Sequence, residues 1–296
     1  MTWTETLQES INYIEDHLLE NITYEDVAKA VCISPYEYHR AFSFLCGLTV
    51  TNYIRNRRLS LAGQELLGSD TRITDLAMKY SYDTPESFTK AFTRFHGIAP
   101  SLARSSGAQL SLFQPLSIHV SMQGGTIMEY RIVELPNQTY LTLTQEFPTA
   151  IINEEDNEDI GIFCRECEKS GRILPLLTLR PEGKKDVYGI CSPLLDKETV
   201  FYYGQGILVD EETRAFDEAF MQEYGYTLKE SAPGTYVVFQ CMGENADCIP
   251  KMWKRFYNEF LPQTGYEARP VTDFEIYYQH GKQGMFCELW IPIQKH

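Results

Sequence analysis

The 296-residue chain contains no apolar run long enough to cross a bilayer and no charged-then-apolar leader, so the expectation is a soluble cytoplasmic protein without membrane span or signal peptide. Cationic residues are scarce. The 26 Lys and Arg face 41 Asp and Glu, a formal net charge of −15 that ordinarily counts against a nucleic-acid partner. Eight cysteines are present without a framework: Cys164 and Cys167 make one C-x-x-C, but no second pair at zinc-site spacing follows, which favours ordinary reduced thiols over a metal or redox centre. No Ser-His-Asp, Cys-His or metal-ligand constellation stands out either. No catalytic residue, metal or cofactor is therefore assigned.

What the sequence does contain is a repeat. PYEYHRAFSFLCGLTV, from Pro35 to Val50, aligns with PESFTKAFTRFHGIAP, from Pro85 to Pro100, setting Pro35 on Pro85, Tyr38 on Phe88, Arg40 on Lys90, Phe42 on Phe92 and Gly47 on Gly97. In each copy the apolar residues fall at i, i+3, i+4 and i+7 (Tyr38, Ala41, Phe42, Leu45; Phe88, Ala91, Phe92, Phe95), one face of an α-helix. The opposite faces are polar and call for a polar partner. Ser34-Pro35-Tyr36-Glu37 reads as a capping box with proline at the first helical position, and Thr84-Pro85 repeats the device. A short amphipathic helix precedes each copy, over 24–31 and 73–80. Helix, tight turn and capped helix, twice over, is the helix-turn-helix plan, in which the second helix enters the major groove of DNA.

The length has room for two domains, and residues 1–107 read as an all-α one. A first amphipathic helix carries Leu7, Ile11, Ile14 and Leu18, and a long helix from Thr51 to Leu67 joins the two motifs, about 25 Å long at ~1.5 Å per residue. Its two reading helices can thus address successive major grooves about 34 Å apart, so a monomer or weak dimer suffices. Charge is divided unevenly: residues 1–110 hold ten Lys and Arg against thirteen Asp and Glu, residues 111–296 sixteen against twenty-eight. Candidate DNA contacts are Tyr36, His39 and Arg40 on the first reading helix, Thr84, Glu86, Thr89 and Lys90 at the start of the second, and Arg55, Arg57 and Arg58 on the long helix facing phosphates. Arg40 has the side chain best shaped for a guanine edge. Glu86 sets an acid where a base-contacting donor would sit, which ranks the second reading helix behind the first.

Residues 108–126 read as a linker rich in Ser, Gln and Gly, with Leu110, Leu112, Phe113 and Ile118 as docking points. From Ile127 the period changes to two. Strands and helices then recur in the same order, and LPNQTYLTLTQ from Leu135 resembles APGTYVVFQCM from Ala232. Two related strand-helix-strand-strand halves predict an α+β domain over 127–296 with a pseudo-twofold axis and a groove. In its last strand Cys287, Leu289, Ile291 and Ile293 make one apolar face, so Phe286, Glu288 and Trp290 are expected to point the other way, an acid between two rings. That set suits a flat cation. Tyr203 matches Glu288 when Phe201 is set on Phe286; Tyr188 and the helical pair Trp253 and Tyr257 complete the lining candidates.

The first third resembles the AraC/XylS family of transcription regulators, through Ile73, Leu76-Ala77, Tyr80-Ser81-Tyr82, Ser87-Phe88, Ala91-Phe92, Phe95, Gly97 and Pro100. Residues 127–296 resemble the GyrI-like effector-binding domain, through Pro233-Gly-Thr-Tyr236, Trp253-Lys-Arg-Phe-Tyr257, Tyr266, Phe274-Glu-Ile-Tyr277 and the closing strand from Phe286. The resemblances imply a multidrug-sensing regulator of promoter DNA, with RNA polymerase as a candidate partner and a bulky, cationic aromatic effector paired with a glutamate that by motif is Glu288. Some GyrI-like domains resemble hydrolases of reactive polycyclic compounds, and a protein-docking module is a further alternative for this half.

Overall fold

The computed structural model describes residues 3–104, 108–118, 127–152, 159–194 and 197–295. The described residues form two compact units. One is built from the chain up to Pro35 and again from Leu48 into the linker; the other combines Tyr36–Gly47 with the C-terminal half. None of the described helices is long and apolar enough to cross a membrane.

The first unit is helical: α1 (Trp3–Asp16), α2 (Tyr24–Ala30), then, after α3 (Pro35–Cys46) has contributed to the second unit, α4 (Val50–Gly68), α5 (Ile73–Lys79), α6 (Pro85–His96) and α7 (Pro100–Ala103). Helix starts follow the capping chemistry. Thr23 and Asp26 form a reciprocal capping box on α2, while the hydroxyls of Thr49 and Thr84 accept the amides of Asn52 and Ser87. Helix α6 stops at Gly97, whose φ of +76° is the left-handed conformation that ends a helix at little cost in glycine. Leu59, Leu66, Leu76, Phe88 and Phe92 fill the core around the second motif. Within the linker, residues 108–118 lie along this unit: Leu110 packs on that core, Phe113 meets Tyr53 edge-on, and the Phe113 amide donates to Ser60. Linker residues 119–126 lie outside the described ones.

The second unit is an antiparallel sheet covered by helices. Its elements are β1 (Arg131–Leu135), β2 (Thr139–Pro148), α8 (Asp159–Lys169), α9 (Ile173–Thr178), β3 (Val187–Leu194), β4 (Lys197–Val209), α10 (Glu218–Tyr224), β5 (Thr227–Glu230), β6 (Gly234–Met242), α11 (Cys248–Arg255) continued by a π-helical turn and α12 (Leu261–Thr264), β7 (Tyr266–Ala268), β8 (Asp273–Tyr277) and β9 (Met285–Lys295). The strand order β1-β6-β9-β8-β3-β4-β2-β5 reads as two equivalent halves meeting at the β3–β8 pair. The expected duplication is therefore present, and with an exchange: β1 precedes β2 in the chain but pairs with β6, while β5 precedes β6 but pairs with β2. Each half lends an edge strand to the other, which ties the halves into one sheet. Helices α9 and α10 were not expected from the sequence. All eight cysteines are free thiols.

Candidate functional site

In the helical unit, α6 turns Phe88, Phe92 and His96 inward. Glu86, Lys90 and Arg94 are exposed on its outer side, with Thr89 half-buried and its hydroxyl donating back to the Pro85 carbonyl. Together with the exposed capping residue Thr84 this is an open helix face of mixed charge, and Arg55 on α4 is exposed as well. Arg57 and Arg58 depart from expectation. Arg57 is buried, forks onto Glu15 (Nε–Oε1 2.8 Å, Nη2–Oε2 2.8 Å) and donates to the Phe113 carbonyl at 2.6 Å. Arg58, also buried, donates to the carbonyls of Leu18 and Glu20. Both guanidiniums saturate acceptors inside the fold, so neither is presented to a phosphate here.

The first reading helix departs further. Tyr36, His39 and Arg40, expected on an open polar face, are buried within the C-terminal unit. Arg40 makes a bidentate ion pair with Asp273 on β8 (Nη1–Oδ2 2.6 Å, Nη2–Oδ1 3.1 Å), donates to the Tyr36 hydroxyl, and lies with its Cζ 3.7 Å from the centroid of the Trp253 ring. The Tyr36 hydroxyl lies 3.2 Å from Cys191 Sγ on β3, and Phe44 stacks on Trp253. The physical reason is that these are large side chains with small polar tips. The sheet offers Arg40 and Tyr36 partners in Asp273 and Cys191, and a face that looks hydrophilic in sequence becomes an interface.

Between the sheet and α3, α8 and α11 lies a cavity of about 740 Å³, within the ordinary size range of small-molecule sites. Glu275 on β8 is its central carboxylate. Both Tyr203 and Tyr277 donate their hydroxyls to Glu275 Oε2 at 2.8 Å, and among the described residues Glu275 forms no ion pair. Burial pushes the Glu275 carboxyl above its ordinary pKa, and the two phenols pull it part of the way back. Burial raises Asp273 too, against the pull of Arg40. Gly189, directly across from Glu275, leaves the room this cluster needs: a Cβ there would fall 2.6 Å from the Tyr203 hydroxyl and 2.8 Å from Glu275 Oε2. Trp253 and Phe286 supply ring walls; Tyr257 stacks on Trp253 and lines the narrow space behind it.

Glu288 is elsewhere. It pairs across from Ile276, whereas Glu275 pairs across from Leu289, so the two glutamates lie on opposite faces of the sheet. Glu288 is 4% exposed and already neutralised, with both its oxygens 2.6 Å from the Arg131 guanidinium and further bonds from Tyr278 and Trp290. Burial raises its pKa, but Arg131, Tyr278 and Trp290 together hold the carboxyl below its ordinary value. Trp290 and Tyr188 pack on this second face as well. The alternation argument fails at one residue: Cys241 pairs with Cys287 but Met242 with Met285, so Phe286 is an extra residue that turns to the cavity face, against Tyr277. The same offset undoes the match of Tyr203 with Glu288, because the strand pairings make Cys287 the equivalent of Tyr203.

Sequence reasoning gave Asp273, Glu275 and Tyr277 no role at the site, although Glu275 and Tyr277 stand in the motif that carries the resemblance. Their signal was present in Asp-Phe-Glu-Ile-Tyr, a short strand with acids and a phenol at every second position. The chain matches the model of a helix-turn-helix domain over residues 27–106 and that of an integron-associated effector binding protein over 130–293, more than half its length. The transcriptional regulator Rob of Salmonella typhimurium is 25% identical over 311 aligned positions, covering 98% of both chains. The transcriptional activator AarP of Providencia stuartii is 33% identical over 34% of this chain and 74% of its own, and the helix-turn-helix regulator YbfP of Bacillus subtilis 37% identical over 36% of each.

Proposed function

The chain belongs to the AraC/XylS family of DNA-binding transcription regulators and carries a C-terminal effector-binding domain of the GyrI-like type, and from that premise we propose that its effector is an aromatic cation held in the Glu275 cavity. The observation that carries this reading is Glu275 itself, a half-buried carboxylate oriented by two phenols in a ring-walled cavity and engaged in no ion pair among the described residues. Leaving an acid there is costly unless something positive completes it. A lipophilic cation gains the carboxylate at reduced dielectric beside the rings of Trp253 and Phe286 that line the cavity. The net acidity of the C-terminal half raises the local concentration of such ligands. Recognition is then by charge and aromatic surface rather than by a specific hydrogen-bond pattern, which suits a sensor of chemically varied compounds.

The test is a pair of ligands on one substitution. Glu275→Gln keeps the size and the phenol partners but removes the charge, so tetraphenylphosphonium should lose about 2–5 kcal/mol of binding by calorimetry, while neutral triphenylphosphine oxide changes little. Equal losses for both compounds, or none for either, would contradict the assignment. Chemical conversion of a reactive aromatic ligand that stops in Glu275→Gln would favour a hydrolase instead.

A further inference from the structure

The cavity already holds a cation, and that cation belongs to the first reading helix. Arg40 spans Asp273 and the face of Trp253, and Phe44 from the same helix stacks on the same indole with ring planes 6° apart. The Arg40 and Asp273 side chains are 10% and 4% exposed, and both line the Glu275 cavity. An acid, an indole and a guanidinium flanked by a second ring reproduce, from within the chain, the chemistry of an aromatic cation. We infer that α3 is the internal ligand of this cavity: docked, it withdraws Tyr36, His39 and Arg40 from DNA, and an aromatic cation competes with Arg40 for Trp253 and Asp273 and so returns the helix to the major groove.

Two features make the competition unequal in a useful way. Arg40 engages Asp273 and leaves Glu275 unpaired among the described residues, so an incoming cation has an attachment point before it displaces anything. Once it is seated, its charge lies beside the Arg40 guanidinium in a buried space, where like charges repel strongly. Meanwhile α6 keeps Glu86, Lys90 and Arg94 exposed. The docked chain therefore retains one reading helix for DNA and gains the second only on release. The inference rests on the cavity being the effector site, but it has its own readout.

That readout is a hydroxyl-radical footprint of the full chain on a duplex selected from a random-sequence pool. Without ligand, protection should cover the one major-groove segment read by α6. Asp273→Asn, which weakens the hold on Arg40 and leaves α3 unaltered, should extend protection to the neighbouring groove and raise affinity about tenfold or more. Saturating tetraphenylphosphonium should do the same to the unsubstituted chain, which keeps the test valid if the variant folds poorly. If the cation binds by calorimetry but the footprint and affinity stay as they were, the inference falls and the effector reading survives. If the cation does not bind, the effector reading falls, and an Asp273→Asn footprint identical to that of the unsubstituted chain, with equal thermal stability, overturns the inference too.

Discussion

His39 is fully buried on α3, and burial pushes its imidazole down to about 4, against a hydrogen bond to the Ala150 backbone. A base whose pKa falls on burial binds fewer protons folded than free. Its contribution is therefore intact above the ordinary value of about 6.5 and is lost as pH falls from there toward 4, a total of about 3 kcal/mol. Glu37, raised to about 7 by burial, by Glu267 and against Arg40, has the opposite slope and flattens the curve of the unsubstituted chain. Comparison with His39→Gln separates the two: urea unfolding followed through Trp253 and Trp290 should show the unsubstituted chain losing ground to the variant between pH 6.5 and 4. Parallel curves would mean the imidazole is not held neutral. Single residues also mark where reading the sequence stops. Tyr203, Trp253 and Phe286 were singled out as lining residues and border the cavity, whereas Glu288 lies on the other face: alternation separated it correctly from Leu289 but could not register the extra residue that parts Phe286 from Glu288.

Among the elements, the helices of the DNA-binding motifs were legible almost to their ends, because threonine caps, prolines at the first turn and Gly97 write the boundaries chemically. Their packing was not. Gly63 on α4 is an example: a Cβ there would fall 2.7 Å from His96 Cε1 on α6, and the His96 ring cannot move aside, since its Nε2 donates to the Leu59 carbonyl at 3.0 Å while Nδ1 accepts the Ser111 amide at 3.1 Å. Gly63→Ala, favourable for an isolated helix, should here destabilise the helical unit by about 1–3 kcal/mol through overpacking, read as a lowered urea midpoint. A raised midpoint would contradict the close approach. The buried face of α3 was illegible for a different reason: its partner Asp273 is 233 residues away, and no local pattern announces so distant an ion pair. The sheet's duplicated order was visible in the sequence, but the exchange of edge strands β1 and β5 was not, because equivalent strands present equivalent patterns to either half.

At the scale of the whole molecule, a small −15 protein binds DNA through a unit that carries little of that charge, while the acidic half supplies the cavity. The two activities are linked if α3 serves both, and linkage has a strict consequence: whatever factor the cation adds to DNA affinity, DNA must add to cation affinity. The direct measurement is calorimetric titration of tetraphenylphosphonium into the full chain, alone and saturated with a selected duplex, beside the affinity for that duplex with and without the cation. The account predicts that the duplex tightens the cation by the same factor, roughly 5–150-fold, as the cation tightens the duplex. An identical cation affinity with and without DNA would contradict it.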